Sequence, residues 1–518
     1  MDKTTAYHQR LLQLLASGEI ADKKELLRRK IALCRELEME TVPPNSATLA
    51  LADEDTLPLV LDLLRRKPVR TLSGVAVVAV MTSPALCPHG KCTYCPGGVE
   101  NNSPQSYTGK EPAARRGAYN EFDPFRQVRA RIGQLTAIGH PTDKIDLIIM
   151  GGTFTSRAAD YQQEFIKRCF DAMNDEDCGS LEEAHSRNEN APHRCIGMTI
   201  ETRPDGFDIG RAKECMRLGT TRIEFGVQIL DDDILRSVNR GHGVKEVVEA
   251  TKTAKDAGLK VCYHVMPGLP GSDHDKDLER FRLLFDDERF RPDMLKIYPT
   301  LVVKGTKLYE QWQRGEFAPY DTAQATEVVA AMKAIAPRYV RIQRIQRDIP
   351  VQLIEAGVDK GHLRELARAR MKELGTRCRC IRCREVGLNR IQLDSAGEVE
   401  LNHLPYRASG GREDFISFDL ADQDALVGYV RLRMPGEGIS AHVRELKVFG
   451  QMARFDQEGR EWQHKGFGKE LMLQAERTAL ENGYQVMKVT SGVGVRRYYS
   501  SIGYVRDGAY MSKPLAPN

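Results

Sequence analysis

Three cysteines in the stretch CPHGKCTYCPGG are the clearest chemical signal in the 518-residue chain. Cys87, Cys92 and Cys95 lie within nine positions, and the loop contains no fourth cysteine. Thiolates are the usual ligands of a 4Fe-4S cluster, so three of them leave one iron without a protein ligand. Such an iron can chelate S-adenosylmethionine and reduce its sulfonium, which generates a 5′-deoxyadenosyl radical. A zinc site is the alternative that this spacing leaves open.

Polar and glycine-rich positions after the next predicted strands favour the radical interpretation. Gly151, Gly152 and Thr153 follow the second strand, where the absence of side chains lets the backbone approach the methionine amine. Glycines in such loops are common, so it is their shared position on one rim that indicates a site. We expect four further cofactor contacts on the same rim, namely Glu201, Arg203, Gln228 and His264.

A second cysteine cluster occupies residues 377–385, with the sequence RCRCIRCRE. Cys378, Cys380 and Cys383 predict a structural zinc site between domains, with His403 and His362 as the nearest candidates for a fourth ligand. A second iron-sulfur cluster and free thiols are the alternatives. The remaining six cysteines are scattered and are predicted to be buried thiols: Cys34, Cys169, Cys178, Cys195, Cys215 and Cys262.

The segment WQHKGFGKELM predicts a phosphate-binding turn near the C-terminus. Gln463, Gly466 and Gly468 form the order Q-x-x-G-x-G between a strand and a helix. The amides of such a loop, together with the helix dipole, can bind a pyrophosphate. The preceding ELKV strand and the pair Tyr498 and Tyr499 fit an acyl-CoA site, in which a hydroxyl contacts the thioester sulfur. A tyrosine pair packed on the core is the alternative.

Six apolar runs alternate with helical patterns from residue 74 onward, from GVAVVAVMT to DMLKIYPTLVV. Units of this kind form a parallel sheet, most simply a partial (β/α)6 barrel with its reactive groups at the carboxyl ends of the strands. After about residue 395, antiparallel strand patterns and two helices predict a small α+β domain. The fold class is therefore α/β, with a barrel followed by an α+β domain.

Composition indicates a soluble cytoplasmic protein, because no apolar run is long enough to span a bilayer and the twelve cysteines do not form a disulfide pattern. The net charge is only +4, but residues 333–390 contain 15 basic and 6 acidic side chains. This local excess of +9 and the basic helical patterns in residues 6–40 are typical of a surface for a phosphate backbone. Solvated helices and solvated charge are the alternatives.

Nine motifs, among them CPHGKCTYCPGG, IIMGGTF, HVMPGLPG, RIQRIQRDIP and GVRRYYSSIGY, resemble one family in order over about residues 43–514. They are similar to the catalytic subunit of Elongator and its stand-alone bacterial and archaeal relatives. The resemblance implies a radical SAM barrel joined to a GNAT acetyltransferase domain. The chain then divides into an N-terminal basic helical tRNA-binding segment, the radical SAM domain, the cysteine-rich linker and the GNAT domain, at residues 1–73, 74–370, 371–395 and 396–518.

The resemblance also implies a tRNA uridine 5-carboxymethyltransferase that uses a 4Fe-4S cluster, S-adenosylmethionine and acetyl-CoA. In that family the deoxyadenosyl radical takes hydrogen from the methyl group of acetyl-CoA, the resulting carbon radical adds to carbon 5 of the wobble uridine, and thioester hydrolysis leaves a carboxymethyl group. The implied partners are the tRNA anticodon stem loop and an electron donor, and a homodimer stays open. By motif match, acetyl-CoA contacts and catalytic groups include Lys144, Glu445, Leu446, Lys447, Val448, Gly466, Phe467, Gly468, Tyr498 and Tyr499.

Two other function classes fit the same motifs. A protein lysine acetyltransferase would use the barrel as a structural iron-sulfur domain and Glu445 as a general base. A non-catalytic tRNA-binding scaffold would use neither cofactor. The four-residue spacer between Cys87 and Cys92 matches the shorter prokaryotic form of the family, whereas RCRCIRCRE contains more cysteine than the matching eukaryotic segment.

Overall fold

The computed structural model describes residues 2–392, 397–450, 462 and 465–516, and the first of these ranges begins with four helices. Their leucines, spaced three or four residues apart, form a small apolar core that includes Tyr7, Leu11 and Leu33. Asp22 caps the second helix by accepting hydrogen bonds from amides of its first turn. The helices are α1 (Lys3–Ala16), α2 (Lys23–Glu36), α3 (Asn45–Leu49) and α4 (Leu57–Leu64).

A seven-stranded parallel sheet forms the centre of the molecule. In spatial order its strands are β1 (Ala76–Met81), β2 (Lys144–Met150), β3 (Arg194–Thr202), β4 (Arg222–Gln228), β5 (Lys260–Val265), β6 (Met294–Ile297) and β8 (Arg341–Ile345). Two short strands, β7 (Val302–Val303) and β9 (Ile354–Ala356), pair separately. The sheet confirms the expected partial barrel, whose strands bring their carboxyl ends to one rim.

Strand β8 is an addition to the six strands that the apolar runs indicated. Its sequence RIQRI alternates, so that Ile342 is fully buried while Arg341 reaches Glu385 in the linker that follows. A search for continuous apolar runs overlooks such a strand, because only one of its two faces is apolar. The strand lies inside the basic segment that the sequence interpretation treated by charge alone.

Helices cover the outside of this sheet and connect its strands. They are α5 (Pro112–Tyr119), α6 (Pro124–Ala137), α7 (Ala159–Asn174), α8 (Leu181–Asn188), α9 (Ile209–Arg217), α10 (Asp232–Ser237), α11 (Val244–Asp256), α12 (His274–Asp286), α13 (Lys307–Gln313), α14 (Thr322–Ile335) and α15 (Leu363–Glu373). Two short helices follow in the cysteine-rich linker, α16 (Ile381–Arg384) and α17 (Val386–Asn389). Within the described ranges, no helix has both the length and the apolar character that crossing a bilayer demands.

In its described residues, the C-terminal domain is a second seven-stranded sheet with two helices, and it confirms the expected α+β domain. Its elements are β10 (Val399–Ala408), β11 (Gly411–Leu420), β12 (Ala425–Met434), β13 (Ser440–Val448), α18 (Phe467–Glu481), β14 (Val486–Val489), α19 (Arg496–Ser501), β15 (Val505–Asp507) and β16 (Tyr510–Pro514). Strands β13 and β14 run parallel and pair only from Ser440 to Val443 of β13. The last residues of β13 therefore extend past the pairing, and the two strands splay apart.

A buried ionic cluster joins the barrel to the C-terminal domain. Asp293, just before β6, accepts hydrogen bonds from Arg444 of β13 at 2.6 and 2.7 Å. Arg444 also contacts Glu413 of β11 at 2.6 Å, and the side chains of all three residues are at most 1 % exposed. Charges buried this deeply are stable only when each has its partner, so the cluster fixes one relative position of the two domains.

Candidate functional site

The cysteine loop between β1 and α5 gathers three buried thiols beside polar donors. The Nε2 atom of Gln105 lies 3.3 Å from the Sγ atom of Cys95, and the Nη1 atom of Arg240 lies 3.6 Å from that of Cys92. Cys87 is also buried, and burial raises the pKa of its thiol. Donors directed at sulfur stabilise a thiolate, which is the form that binds iron.

The spacing of the thiols distinguishes the two cysteine clusters. The sulfur atoms of Cys378, Cys380 and Cys383 all lie within 4.8 Å of one another, whereas those of the loop cysteines do not form such a group in the described part of the chain. Two thiolates on one tetrahedral zinc are about 3.8 Å apart, given a Zn–S bond of roughly 2.3 Å. Thiolates that bind different irons of a cluster stand farther apart. Residues 378–383 therefore fit a single ion, which the more widely spaced loop thiols do not.

A cavity of about 140 Å³ opens beside the cysteine loop, at the carboxyl ends of the barrel strands. Six of the predicted cofactor contacts line it: Gly152, Thr153, Glu201, Arg203, Gln228 and His264. Gly151 has a different role, because a Cβ atom there would come within 2.0 Å of the hydroxyl oxygen of Thr82. Its missing side chain allows the packing of β2 against the end of β1, which in turn positions Gly152.

Gln228 ends β4 in a strained conformation. Its φ angle is +72°, in the left-handed region that residues other than glycine rarely adopt. Its Oε1 atom is buried without a hydrogen-bond partner and faces the cavity. Strain and an unsatisfied polar atom at one residue are typical of a ligand-binding position.

Sequence reasoning missed a buried ion network in this cavity. Lys296 of β6 lies between Glu224 and Glu201, with its Nζ atom 3.2 Å from Glu201. The Nε2 atom of His264 is 2.8 Å from Glu224, and Tyr107 donates a hydrogen bond of 2.9 Å to Glu201. The alternation of side chains along the strand sequence EFGVQ could have indicated Glu224, because residues 224 and 228 of a strand point to the same face and Gln228 was predicted to be in the site.

Electrostatic interactions in the network keep Glu224 and Lys296 charged. Burial alone would raise the pKa of Glu224, but Lys296 and His264 outweigh it and lower that pKa. Burial alone would lower the pKa of Lys296, but Glu224 and Glu201 raise it. At neutral pH the cavity thus presents the carboxylate of Glu224 already paired with the ammonium group of Lys296.

A second cavity, of about 540 Å³, lies between the splayed end of β13, the start of α18 and the amino ends of the barrel strands. We call it the acyl cleft. All predicted acetyl-CoA contacts within the described ranges line it, namely Lys144, Glu445, Leu446, Lys447, Val448, Gly466, Phe467, Gly468, Tyr498 and Tyr499. Gln463 lies outside the described residues. The barrel contributes three charged side chains that sequence reasoning missed, Asp146, Arg222 and Lys260.

The start of α18 is shaped for an anionic ligand. Gly466 is its N-cap, with a φ angle of +87°. A Cβ atom at Gly468 would lie 3.2 Å from the hydroxyl of Tyr498, so a larger side chain would fill the space in front of the helix. Free amides at a helix N-terminus and the helix dipole favour phosphate groups. Tyr499 is only 7 % exposed and packs against Tyr498 and Tyr504, which fixes the orientation of the tyrosine pair.

Glu445 does not have the environment of a general base. Arg431 donates a hydrogen bond of 2.9 Å to its carboxylate. Burial alone would raise the pKa of Glu445, but Lys260, Arg431 and Lys447 lower it to about 2. A carboxylate with so low a pKa accepts a proton poorly near pH 7.

The second cysteine cluster lies in the linker between the two domains. Neither His403 nor His362 joins its three thiols within the described part of the chain, and His403 instead pairs with Asp414 of β11. The structure therefore assigns neither histidine as the fourth ligand, and β10 carries His403 along the sheet of the C-terminal domain. The pKa of Cys380 is lowered by hydrogen bonds from the other two thiols.

Ion pairs neutralise part of the positive charge of residues 333–390. Acidic residues outside the segment pair with several of its arginines: Asp419 and Asp424 contact Arg338 and Arg384, and Asp424 also contacts Arg377. The linear excess of +9 therefore overstates the charge available to a ligand. Within the described ranges, seven basic side chains of the segment carry no ion pair and are not buried: Arg347, Arg364, Arg368, Lys372, Arg379, Arg382 and Arg390.

Family models match consecutive parts of the chain. They are the ELP3 N-terminal domain over residues 5–72, the Radical SAM superfamily over 82–284, the Radical_SAM C-terminal domain over 292–373 and the Acetyltransferase (GNAT) family over 383–504. The radical SAM match covers the cysteine loop, which fits the thiol spacing above. The GNAT match covers the acyl cleft of the C-terminal domain.

Relatives match over nearly the whole chain. The tRNA uridine(34) acetyltransferase of Methanocaldococcus infernus is 48 % identical over 98 % of this chain and 98 % of its own length. Elongator complex protein 3 of Homo sapiens is 45 % identical over 87 % of this chain and 86 % of its own. A solved structure of the archaeal M. infernus Elp3 with an N-terminal deletion (1–46) is 46 % identical, with a TM-score of 0.75 over 85 % of this chain and 99 % of that one.

Proposed function

The chain belongs to the family of Elongator complex protein 3 and the tRNA uridine(34) acetyltransferases, and on this premise we propose that it adds an acetyl-CoA-derived carboxymethyl group to carbon 5 of the wobble uridine of tRNA. The observation that supports this most is the composite acyl cleft. Barrel strands supply Lys144, Arg222 and Lys260 to a cleft whose other wall is the GNAT strand β13. A GNAT enzyme that worked independently of the barrel would not need these side chains.

The cysteine loop would hold the cluster through Cys87, Cys92 and Cys95. When bound, the cluster and S-adenosylmethionine supply a carbon radical. The chain's own residues prepare the site: Gln105 and Arg240 donate to the thiolates, and the network around Lys296 keeps the cavity polar and Glu224 ionised. Gly152, Thr153, Glu201, Arg203, Gln228 and His264 are proposed to contact S-adenosylmethionine or the uridine.

In the acyl cleft, the amides from Gly466 to Gly468 would bind the pyrophosphate of acetyl-CoA. The free edge of β13 from Glu445 to Val448 would pair with the pantetheine amides, because backbone groups beyond the β13–β14 pairing are available. Tyr498 would direct its hydroxyl to the thioester sulfur, and Tyr499 would hold it in place. Lys144 would contact the acyl end from the barrel side.

The lysine acetyltransferase alternative is less well supported. It requires a base that can deprotonate an incoming amine, and Glu445 is the acidic side chain that the strand offers. Its hydrogen bond to Arg431 and its low pKa disfavour that role. We therefore propose that Glu445 acts in positioning Arg431 and Lys260 around the acyl end.

We further propose one zinc ion at Cys378, Cys380 and Cys383, a cytoplasmic location and an external electron donor. The anticodon stem loop would contact residues 1–73 together with the unpaired basic side chains of the linker region. The division into residues 1–73, 74–370, 371–395 and 396–518 is retained, with the functions given to each segment above.

The test is anaerobic reconstitution with iron and sulfide, followed by incubation with S-adenosylmethionine, acetyl-CoA and tRNA. We expect carboxymethyluridine in digested tRNA by mass spectrometry, and acetyl-CoA consumption only when tRNA is present. The triple variant Cys87→Ala, Cys92→Ala, Cys95→Ala should yield none. The matched control Cys215→Ala removes a buried thiol outside the loop and should retain the product. Carboxymethyluridine formed by the triple variant would refute the radical mechanism.

A further inference from the structure

A thin wall inside the barrel separates the acyl cleft from the cofactor cavity. Arg222 lines the acyl cleft, and Glu224, two residues later on the same face of β4, lines the cofactor cavity. Two residues along a strand span only about 7 Å. Along β4, the boundary between the cavities is therefore this one pair of side chains.

The interior of the barrel is polar at this wall. Barrel interiors are ordinarily filled with branched apolar side chains. Here the inward positions of three neighbouring strands are small, polar or charged, as shown by strand register and by the cavity linings: Gly197, Thr199 and Glu201 of β3, Arg222 and Glu224 of β4, and Lys260, Cys262 and His264 of β5. Such a lining suits a passage better than a packed core.

The pair that forms the wall is loosely held. The Nε atom of Arg222 lies 3.3 Å from the Oε1 atom of Glu224, yet both atoms are buried without a directed hydrogen bond. The hydroxyl of Thr199, the neighbour of Arg222 on the adjacent strand β3, is also buried and has no partner. Buried polar atoms without partners are rare and indicate a missing ligand group or water.

Each member of the pair has other partners that would remain if the two side chains separated. Glu224 keeps Lys296 and His264 on the cofactor side. Arg222 keeps Asp146, whose Oδ2 atom is 3.5 Å from its Nη2 atom on the acyl side. Moving Arg222 toward Asp146 would therefore open the wall without leaving either charge unpaired.

We propose that the barrel lumen is a passage through which the acetyl end of acetyl-CoA reaches the cofactor cavity, with Arg222 as its gate. The proposal rests on the proposed function and deepens it, because it makes the two cavities one reaction chamber. The thioester end of the pantetheine arm is narrow and uncharged, so it can pass along the lumen in front of Arg222 and Thr199, which are neighbours on adjacent strands. The unpartnered Thr199 hydroxyl and Arg222 Nε atom offer donors to its carbonyl oxygen.

Cys262 allows a direct test in protein without a cluster. Its thiol lies within 4.8 Å of ligand atoms of Glu224 and His264, beyond the gate as seen from the acyl cleft, and it is fully buried. The probe is bromoacetyl-CoA, whose bromide is displaced by the thiolate with formation of a C–S bond. The reaction is run at pH 9, because burial raises the pKa of Cys262.

We expect bromoacetyl-CoA to alkylate Cys262 at least tenfold faster than bromoacetamide at equal concentration, by peptide mass spectrometry. Acetyl-CoA should protect the thiol of Cys262 from alkylation. Cys169 and Cys215 are buried among the barrel helices, and we expect bromoacetyl-CoA to alkylate them no faster than bromoacetamide does. Alkylation of Cys262 that is absent, or no faster than with bromoacetamide, would overturn the passage. Neither result depends on tRNA or iron, so the test is separable from that of the proposed function.

A plug provides the second test. Thr199→Phe should fill the lumen, whereas Thr199→Val keeps the native volume. We expect Thr199→Phe to bind acetyl-CoA within threefold of the unmodified protein, yet to lose alkylation of Cys262 and at least 100-fold of carboxymethyluridine formation, with a far smaller loss in Thr199→Val. A Thr199→Phe variant that binds acetyl-CoA and forms product at the unmodified rate would also overturn the passage. If this variant does not fold, the alkylation of the unmodified protein decides.

Discussion

Three thiols in the linker are close enough to bind one metal ion, and this leads to a prediction at the scale of single residues. We expect one zinc per chain, bound by Cys378, Cys380 and Cys383, because tetrahedral zinc needs thiolates at such short separations. Cys380→Ser should remove the zinc and lower the unfolding temperature, while iron in the first cluster is retained. Metal analysis by mass spectrometry measures the zinc and iron contents of the variant. Cys34→Ser, in the N-terminal core, is the control, and zinc that stays stoichiometric in Cys380→Ser would contradict the prediction.

Lys296 has an equally specific energetic role. Its removal in Lys296→Met leaves Glu201 and Glu224 buried without their ammonium partner. Breaking a buried ion pair in this way costs about 3–5 kcal/mol, so we expect a marked loss of stability in urea unfolding. Glu224→Gln in the same chain should restore part of it. The control Lys245→Met breaks an exposed pair with Glu249 and should change little. If Lys296→Met and Lys245→Met were equally stable, a stabilising buried ion pair at Lys296 would be contradicted.

At the scale of secondary-structure elements, the first turn of α18 should be sensitive to side-chain size. Gly468→Leu would fill the space before the helix N-terminus, beside the hydroxyl of Tyr498. We expect the Kd for acetyl-CoA to rise at least tenfold in calorimetry, with reductive cleavage of S-adenosylmethionine unaffected. Gly133→Ala in α6 has open space around its Cβ position and should leave the Kd unchanged. A Gly468→Leu variant with normal affinity would exclude this turn as the pyrophosphate site.

An arginine cluster on α5, α6 and the segment before β1 makes a second prediction for elements. Burial, together with Arg116 and Arg70, lowers the pKa of Arg131 to about 10, and its Nε atom is buried without a hydrogen-bond partner. Like charges held together in this way favour an anion between them. Alanine at all three positions should weaken tRNA binding. It should also reduce the salt slope, which is the slope of log K for tRNA binding against log salt concentration, by about 3, one for each lost phosphate contact.

The control for this prediction lies on the same helix. Arg126 and Arg129 of α6 pair with Glu121 and Asp175, so their charges are already neutralised. Arg126→Ala with Arg129→Ala should leave the salt slope of tRNA binding nearly unchanged in filter-binding assays. Equal effects of the two sets of substitutions would mean that charge on α6, rather than the cluster, binds the RNA.

The sequence predicted those elements whose signal is local, and this explains both its successes and its failures. Apolar runs identified six barrel strands, and the cysteine and glycine motifs identified residues that line the two cavities. Strand β8 was missed because its polar face hides it, and the charge of residues 333–390 was overstated because Asp419 and Asp424 come from a distant hairpin. Ion pairs between distant segments leave no pattern in the sequence.

For the whole molecule, the relation between the two cavities was the part that no motif could predict. Lys260 and Arg222 carry no motif of an acyl-CoA site, yet they line it, because the GNAT domain packs against the amino ends of the barrel strands. The buried cluster of Asp293, Glu413 and Arg444 fixes that packing. Motifs thus identified each site by itself, and only the domain interface showed that they share strands.

That interface should also make the molecule sensitive to mild acid. His442 and His185 are buried where the two domains meet, and burial, together with nearby cations, lowers their pKa values to about 4 and about 3. In the unfolded chain both titrate near pH 6.5, so between pH 7 and 5 the unfolded state binds protons that the folded state excludes. Stability therefore falls as pH falls, by about 2 kcal/mol per histidine at pH 5.

Paired carboxylates such as Glu445 do not contribute in this range, because their depressed pKa values lie below it. The measurement is the unfolding temperature from pH 7.5 to 5. We expect His442→Gln with His185→Gln to flatten the decline by more than half, whereas His274→Gln, which changes an exposed side chain, should follow the unmodified protein. A double variant with the same decline would mean that the interface does not exclude protons at these two positions, and that acid acts on the fold elsewhere.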